Sequence, residues 1–471
     1  MNKIFHKNLS EGSITLYAMI MMSVFLIIFT SLVGMVISRL KAADQLASYE
    51  QSLAIAEAGI NYYRWCLNHN VEGNCPINFT YEDSQGVQLG RIEITNLSNQ
   101  ACGEIVSYDV VSKGYTLKYP TLDRSISIQY ARESVGKYVT LLNDSVWAGA
   151  DIELKGLYHS NGGIRMDGEN QSLVTSTQTE WVCTLSFGCS VCPTSDGCRL
   201  DGGKCMCPGV FTTANGNKDL FSFPVPPFDF NSITVDIANI KSIAQSSGIY
   251  LPPSVNLNAN GKGYHVILSN NSIKVNIITK LSPVWAYSLE EGWHYDYFII
   301  SSEVNYATYN IHPSCAVAFF EDDVWVEGTL QGKLTLVSAQ LPPLSKNTNA
   351  ILPGSISYNL NNPKDAFTLI AENNILIGPQ SPNDMELRGI FIAQNGRFGR
   401  NLYLNNYRNS LEVRGSIISN GRVGTKWICG GSYCSGYARR ENSIDTELIY
   451  NPAPFTPFIE SKFKIINWEE L

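Results

Sequence analysis

The sequence predicts an α+β protein: a long N-terminal helix with a small antiparallel sheet, followed by a mostly-β parallel β-helix or solenoid domain. Three observations carry this. Residues Ser13–Ile37 form a run of 25 positions without a charge, and the run passes directly into an amphipathic helical seam. Three short segments beyond the seam alternate apolar and polar residues. The last two thirds of the chain repeat a short β run that ends in an Asn-Gly corner.

Composition narrows the class. With 471 residues, two or three domains of about 100–200 residues each are expected. Charged residues make up only 16%, below the ~25% usual for soluble chains, which excludes a charge-rich disordered protein. One long apolar run excludes a multi-pass membrane protein. The net charge is -8 with no Lys/Arg block, so the basic footprint of a nucleic-acid binder is missing. Twelve Cys, many of them clustered, point to an oxidising compartment outside the cytoplasm.

The apolar run is long enough to span a bilayer, and Lys3, His6 and Lys7 before it favour a cytoplasmic N-terminus. A secretory signal peptide fits poorly, because its apolar core is shorter, about 7–15 residues. Leu46, Tyr49, Leu53, Ala56, Ile60, Tyr63 and Leu67 continue at spacings of three and four, a heptad seam. With no Pro before this point, one helix of about 55 residues and about 80 Å is expected over 13–67. Its apolar half suits lipid, since burial of apolar area favours that state.

A short basic leader ending in Gly12, an apolar helix and an amphipathic extension together resemble a type IV pilin. The stretch QSLAIAEAGINYYRW (51–65) is similar to the AEAG segment of PilX-like minor pilins. The resemblance covers about residues 1–65. It implies cleavage by a prepilin peptidase between Gly12 and Ser13, a single membrane pass, passage through the inner-membrane assembly machinery, and other pilin subunits as partners. Major pilins carry Glu at the fifth mature position; here that position is Tyr17. The departure implies a tip or initiating subunit. Glu57 stands on the amphipathic half, as a partner for a neighbouring subunit or as a solvated charge. The competing reading of the N-terminus is an uncleaved signal anchor.

Strands are expected over 87–95, 104–112 and 124–132, each half-buried on one face. A long helix on such a meander is the head of a pilin, and the resemblance extends to about residue 133. The expected divisions are a leader (1–12), a stem helix (13–67), a small sheet (68–135), a solenoid head (136–450) and a closing tail (451–471).

Cys66 and Cys75 would close a short loop at the end of the helix. Cys183, Cys189, Cys192, Cys198, Cys205 and Cys207 crowd into the insertion 183–207. Thiolates at such spacing also suit zinc; the compartment favours three disulfides, with 15 connectivities open for six Cys. Bridges would there replace a core. Cys429 and Cys434 flank a turn and form a local pair. Cys102 and Cys315 remain; they pair together, or Cys315 stays a buried thiol.

From about Tyr138 the repeat appears as DIELKGLYHSNGGI (151–164), ELRGIFIAQNGRF (386–398) and LEVRGSIISNGRV (411–423). Partial copies lie at 324–332 and 374–378. Repeats of this kind predict a parallel β-helix, with Gly and Asn at corners of positive φ. A β-sandwich with chance similarity is the alternative. A helix is expected over 222–247, and the Pro-rich 451–457 is expected to pack back on the solenoid.

The search for chemistry finds no HExxH, GxSxG or Walker motif. No cofactor and no enzymatic activity are expected. Asp151, Glu153 and Asp167 are the carboxylates a β-helix polysaccharide enzyme would use, the alternative reading beside an envelope scaffold. Glu321, Asp322 and Asp323 would be oxygen ligands for calcium, or a solvated corner. Trp285, Trp293, Tyr295 and Tyr297 are expected to fill the solenoid core, with contact to a surface or glycan as the alternative.

Overall fold

The structure, a computed structural model, describes residues 11–69, 75–313, 315–341, 347–359 and 364–471. Positions 1–10 of the expected leader lie outside these described residues. The chain forms two compact units. The first comprises Met1–Leu97, Tyr108–Tyr130 and Ile465–Leu471; the second comprises Ser98–Ser107 and Ala131–Lys464. This division departs from the expected one. The tip of the hairpin at 98–107 belongs with the solenoid, and the last seven residues belong with the small sheet.

The first unit is built on helix α1 (Glu11–His69), 59 residues without a break. Residues 14–43 are exposed all round. By length and composition the apolar part suffices to cross a membrane, a test that a signal sequence also passes. The second half packs on a five-stranded sheet. Its order is β1 (Asn78–Glu82), β2 (Gln88–Ala101), β3 (Glu104–Thr116), β4 (Arg124–Ala131) and then the C-terminal strand Lys464–Glu470. The seam is rotated from the expected one. Leu46 and Tyr49 are exposed, and the buried stripe is Ser48, Ser52, Ile55, Ala56, Gly59, Ile60, Tyr63 and Cys66. The small residues Ser48, Ser52, Ala56 and Gly59 take their places in this stripe because the helix lies flush on the sheet there. A Cβ on Gly114 would sit 2.4 Å from both the Ala56 nitrogen and the Ser52 oxygen, and one on Gly59 would sit 2.3 Å from the Ser112 Oγ. Tyr130 then donates its hydroxyl to the Ile60 carbonyl at 2.6 Å.

The second unit is a parallel β-solenoid with three faces. On one face the strands stack in the order 249–251, 317–320, 333–338, 366–371, 390–393, 417–419, 140–142, 157–160, 174–176 and 221–222. A second face runs 268–270, 328–330, 356, 387, 411–414, 440–443, 152–155 and 169–170. Both columns show the same unexpected order. The chain enters the stack in its middle at residue 138 and winds outward to 222. It returns along the outside through residues 223–248 and resumes at the opposite end at 249. From there it winds back until 440–443 pairs with 152–155. The winding cadence is continuous across this break, so the solenoid is circularly permuted relative to its spatial order.

The repeat now has a physical reason. Gly389 and Gly415 occupy one corner, in register with each other, with φ of 134° and 135°, and Gly328 takes another corner with φ of 118°. A Cβ on Gly415 would lie 2.0 Å from the Gly389 carbonyl oxygen. The Asn corners form a ladder: Asn161 donates to Asn143, and Asn143 donates to Asn420, each at 2.8 Å. The interior holds stacked aliphatic and aromatic side chains such as Phe320, Leu336, Leu369, Phe391 and Ile417. Strands such as Val317–Phe320 are buried on both sides, because the helix Ile237–Ser247 covers them outside with Ile240 and Ala244. That helix is shorter than expected; Pro224, Pro226 and Pro227 keep the preceding stretch extended. The Pro-rich tail is tied to the solenoid, with Thr335 donating to the Pro454 carbonyl and Thr368 bonded to Thr456.

One long hairpin, Ser272–Ser288 with Gly292–Asn310, leaves the solenoid. Its base pairs antiparallel with 264–270 and buries Ile273, Val275 and Ile277 in the core. It thereby closes the exposed edge that a solenoid end would present.

Candidate functional site

Each residue singled out in the sequence has a definite place. Gly12 and Ser13 lie in the first turn of α1, and Tyr17 is 69% exposed on its apolar half. Glu57 is exposed on the second half, beside the buried Ala56. All twelve Cys are bonded. Cys66 joins Cys75, Cys102 joins Cys315, and Cys429 joins Cys434. Within the insertion, Cys183 joins Cys189, Cys192 joins Cys205, and Cys198 joins Cys207. These three cystines pack with Trp181 and Phe211 into a small core of their own, and no thiolate is left for a metal.

The carboxylates proposed for acid–base work are engaged elsewhere. Asp151 accepts from Arg440 at 2.8 Å and faces Lys426 at 3.3 Å. Glu153 takes Gln171 at 2.8 Å and Lys155 at 3.2 Å. Asp167 is buried between Arg165 at 2.7 Å and the Trp147 ring N–H at 2.8 Å. The acidic run diverges as well. Glu321 accepts from the Tyr250 hydroxyl at 2.6 Å, Asp322 from Ser254 Oγ at 2.6 Å, and Asp323 from the Asn349 amide at 2.8 Å. Three carboxylates aimed at three partners fix the end coil of the solenoid.

The aromatic cluster overturns the core expectation. Trp285, Trp293, Tyr295 and Tyr297 are 50, 48, 58 and 54% exposed. The reason is the hairpin. Its outer half lies against the third face of the solenoid, and period-two alternation turns one set of side chains inward and the other to solvent. The backbone and the inward set do the anchoring. Tyr287 and Leu402 exchange backbone hydrogen bonds at 3.0 and 2.9 Å. Asp296, 5% exposed, accepts from Asn401 at 2.9 Å and from the Tyr403 hydroxyl at 2.8 Å. Trp325 donates its ring N–H to the Phe298 carbonyl at 2.8 Å.

The outward set is a strip of rings. Trp285 pairs across the ribbon with Tyr295, and Tyr287 with Trp293. The Trp285 and Trp293 rings are 5.9 Å apart and within 8° of parallel, and the Trp285 and Tyr295 centroids are 4.7 Å apart. Tyr287 continues the strip to Trp427 at 5.7 Å. Tyr287 and Trp427 were not anticipated. The pattern Trp-x-Tyr before Gly292 and Trp-x-Tyr-x-Tyr after it could have placed five of these rings on one face, though not decided which way that face looks.

Two histidines stiffen the hairpin. His294 lies 2.9 Å from both the Gly292 carbonyl and Asp296. His265 lies 2.8 Å from Glu303 and 3.1 Å from Glu327. For each ring both partners are acceptors, an arrangement that favours the protonated imidazolium. Burial opposes the charge on His265, but the hydrogen bonds from Glu327 and Glu303 outweigh it and raise the pKa. Beside the Asn ladder, Asn143, Asn395, Asn420, Gln394 and Phe228 line a cleft of about 620 Å³.

No family model matches the chain, and neither does any curated protein. Among solved structures, the competence-associated pilin ComZ from Thermus thermophilus aligns over 90% of this chain and 98% of that chain, at 12% identity and a TM-score of 0.31. A likeness of that size carries no argument about this chain.

Proposed function

We propose that this chain is a minor, tip-associated type IV pilin. Prepilin peptidase cuts it between Gly12 and Ser13. Helix α1 holds it in the cytoplasmic membrane and afterwards joins other pilin subunits in the pilus. The solenoid head is presented on the outside, for adhesion or for priming assembly.

The observation that carries this reading is the N-terminal constellation. A short basic leader ends in Gly12, an uncharged run follows, and the AEAG segment seats the same unbroken helix on a small sheet. An apolar surface exposed along residues 14–37 has to be covered by lipid or by neighbouring helices. Tyr17, in place of the Glu of repeated shaft subunits, supports a tip position. So does a head of several hundred residues, which would crowd a shaft. Twelve paired Cys support an oxidising destination. The engagement of Asp151, Glu153 and Asp167 by cations and donors supports a role other than hydrolysis.

The test is the mature N-terminus, read by mass spectrometry after co-expression with a prepilin peptidase. A chain beginning at Ser13 is expected, with the net charge moved from -8 to -9 by loss of Lys3, Lys7 and Glu11. An intact leader overturns the reading and leaves a permanently anchored surface protein.

A further inference from the structure

We propose that the outward face of the 285–297 ribbon is a binding strip for an uncharged, linear polysaccharide. The inference concerns the ligand of the head, and it stands or falls independently of leader cleavage and pilus entry.

The first ground is what occupies the face. A ribbon laid on a protein normally shows polar side chains to water. Here the outward positions are Trp285, Tyr287, Trp293, Tyr295 and Tyr297, all of them rings. Four of these rings are about half exposed or more, while their inward neighbours Ala286 and Asp296 are buried. The strip carries ring faces and phenolic hydroxyls, with the aliphatic Leu289 confined to the turn. A pyranose ring offers the matching surface: C–H bonds on its flat faces for the electron-rich ring faces, and hydroxyls at its rim for the phenols.

The second ground is rigidity. The ribbon is pinned from beneath by Asp296 to Asn401 and Tyr403, by Trp325 to Phe298, and by the Tyr287–Leu402 backbone pair. The rings also brace one another, as the near-parallel Trp285 and Trp293 show. A platform held in place before binding loses little freedom when a ligand arrives.

The third ground is charge. None of the five outward side chains is charged. Nearby, Glu290 is paired with Arg397 at 3.1 Å, Glu291 lies 3.8 Å from His294 at the turn, and Asp296 is buried. Nucleic acid, an anionic bilayer and an acidic glycan all call for clustered Lys or Arg. A neutral sugar chain does not. The strip also runs lengthwise along the ribbon and on to Trp427, which suits a polymer better than a single sugar.

The test is affinity electrophoresis of the full chain in mild non-ionic detergent. The native gels contain hydroxyethylcellulose, glucomannan or laminarin, with heparin as the acidic comparison. At least one neutral polymer is expected to retard the protein. Trp285→Ala with Trp293→Ala is expected to weaken that retardation at least tenfold, with mobility in the polymer-free gel unchanged. Tyr297→Ala, at the end of the strip, is expected to weaken it several-fold, and serves as the variant if the double replacement disturbs the hairpin. The proposal is overturned if no neutral polymer retards the chain, if the variants are retarded as strongly as the parent, or if heparin retards it more than every neutral polymer does.

Discussion

Gly59 and Gly114 set how closely helix and sheet approach in the first unit. Alanine at Gly114 would drive its Cβ onto helix backbone, at 2.4 Å from the Ala56 nitrogen, and backbone cannot rotate away. Alanine at Gly59 meets the Ser112 hydroxyl at 2.3 Å and the Ile92 methyl at 2.6 Å, side-chain atoms and not backbone. Gly114→Ala should therefore cost about 1–3 kcal/mol, the usual range for overpacking, and Gly59→Ala less. Thermal unfolding of the full chain in detergent measures both; equal midpoints for Gly114→Ala and the parent would show that the flush packing is wrong. His265 makes a different kind of prediction. Its pKa is raised by Glu327 and Glu303 in the folded chain, while unfolded His titrates near 6.5. Its stabilisation is thus complete below pH of about 6.5 and is lost as pH rises through the folded value. His294, also raised, acts in the same direction. Lys333, pushed down to about 8 by burial, acts in the opposite direction above that pH. Melting temperature should fall as pH rises from about 6.5 toward 8, and His265→Gln should flatten part of that fall.

The Cys-rich insertion is an element with too little apolar content to hold itself together. Its bonds span 6, 13 and 9 residues, and each should stabilise by about 2–3 kcal/mol on the chain-entropy estimate. After mild reduction under native conditions, trypsin should cut at Arg199 or Lys204 before it cuts the solenoid. Mass spectrometry of the early fragments reads the order, and early cuts within the coils would contradict it. The connectivity itself was not legible, because spacing alone does not choose among pairings. Other elements were legible for definite reasons. The uncharged run and the absence of Pro gave α1, and the Asn-Gly corners gave the coils, since Asn161 and Asn420 stack on either side of Asn143. The seam of α1 was legible at Ala56, Ile60 and Tyr63 and misread at Leu46 and Tyr49, because apolar periodicity marks large side chains, whereas Ser48, Ser52 and Gly59 make the contact there. The hairpin was misread because alternation reports that two faces differ and not which one meets water.

For the whole second unit, order in space and order in sequence come apart. Neighbouring coils share backbone hydrogen bonds and side-chain ladders, so stability depends on stacking and is blind to which covalent link joins the coils. Residues 411–414 pair with 440–443, and 440–443 pair with 152–155, as though the chain ran straight on. No repeat in the sequence could reveal this, since each copy records its own corner and not its neighbour. It follows that an unbroken chain through the connection 223–248 is dispensable once the stack has formed, although its helix still covers the outer side of Val317–Phe320. A protease site placed between the exposed Pro226 and Pro227 tests this. After cleavage, and with Cys102–Cys315 reduced, the two pieces should still migrate as one species on size exclusion in detergent and separate only in denaturant. Separation under native conditions would mean that the covalent link, and not the pairing across the permuted seam, holds the solenoid together.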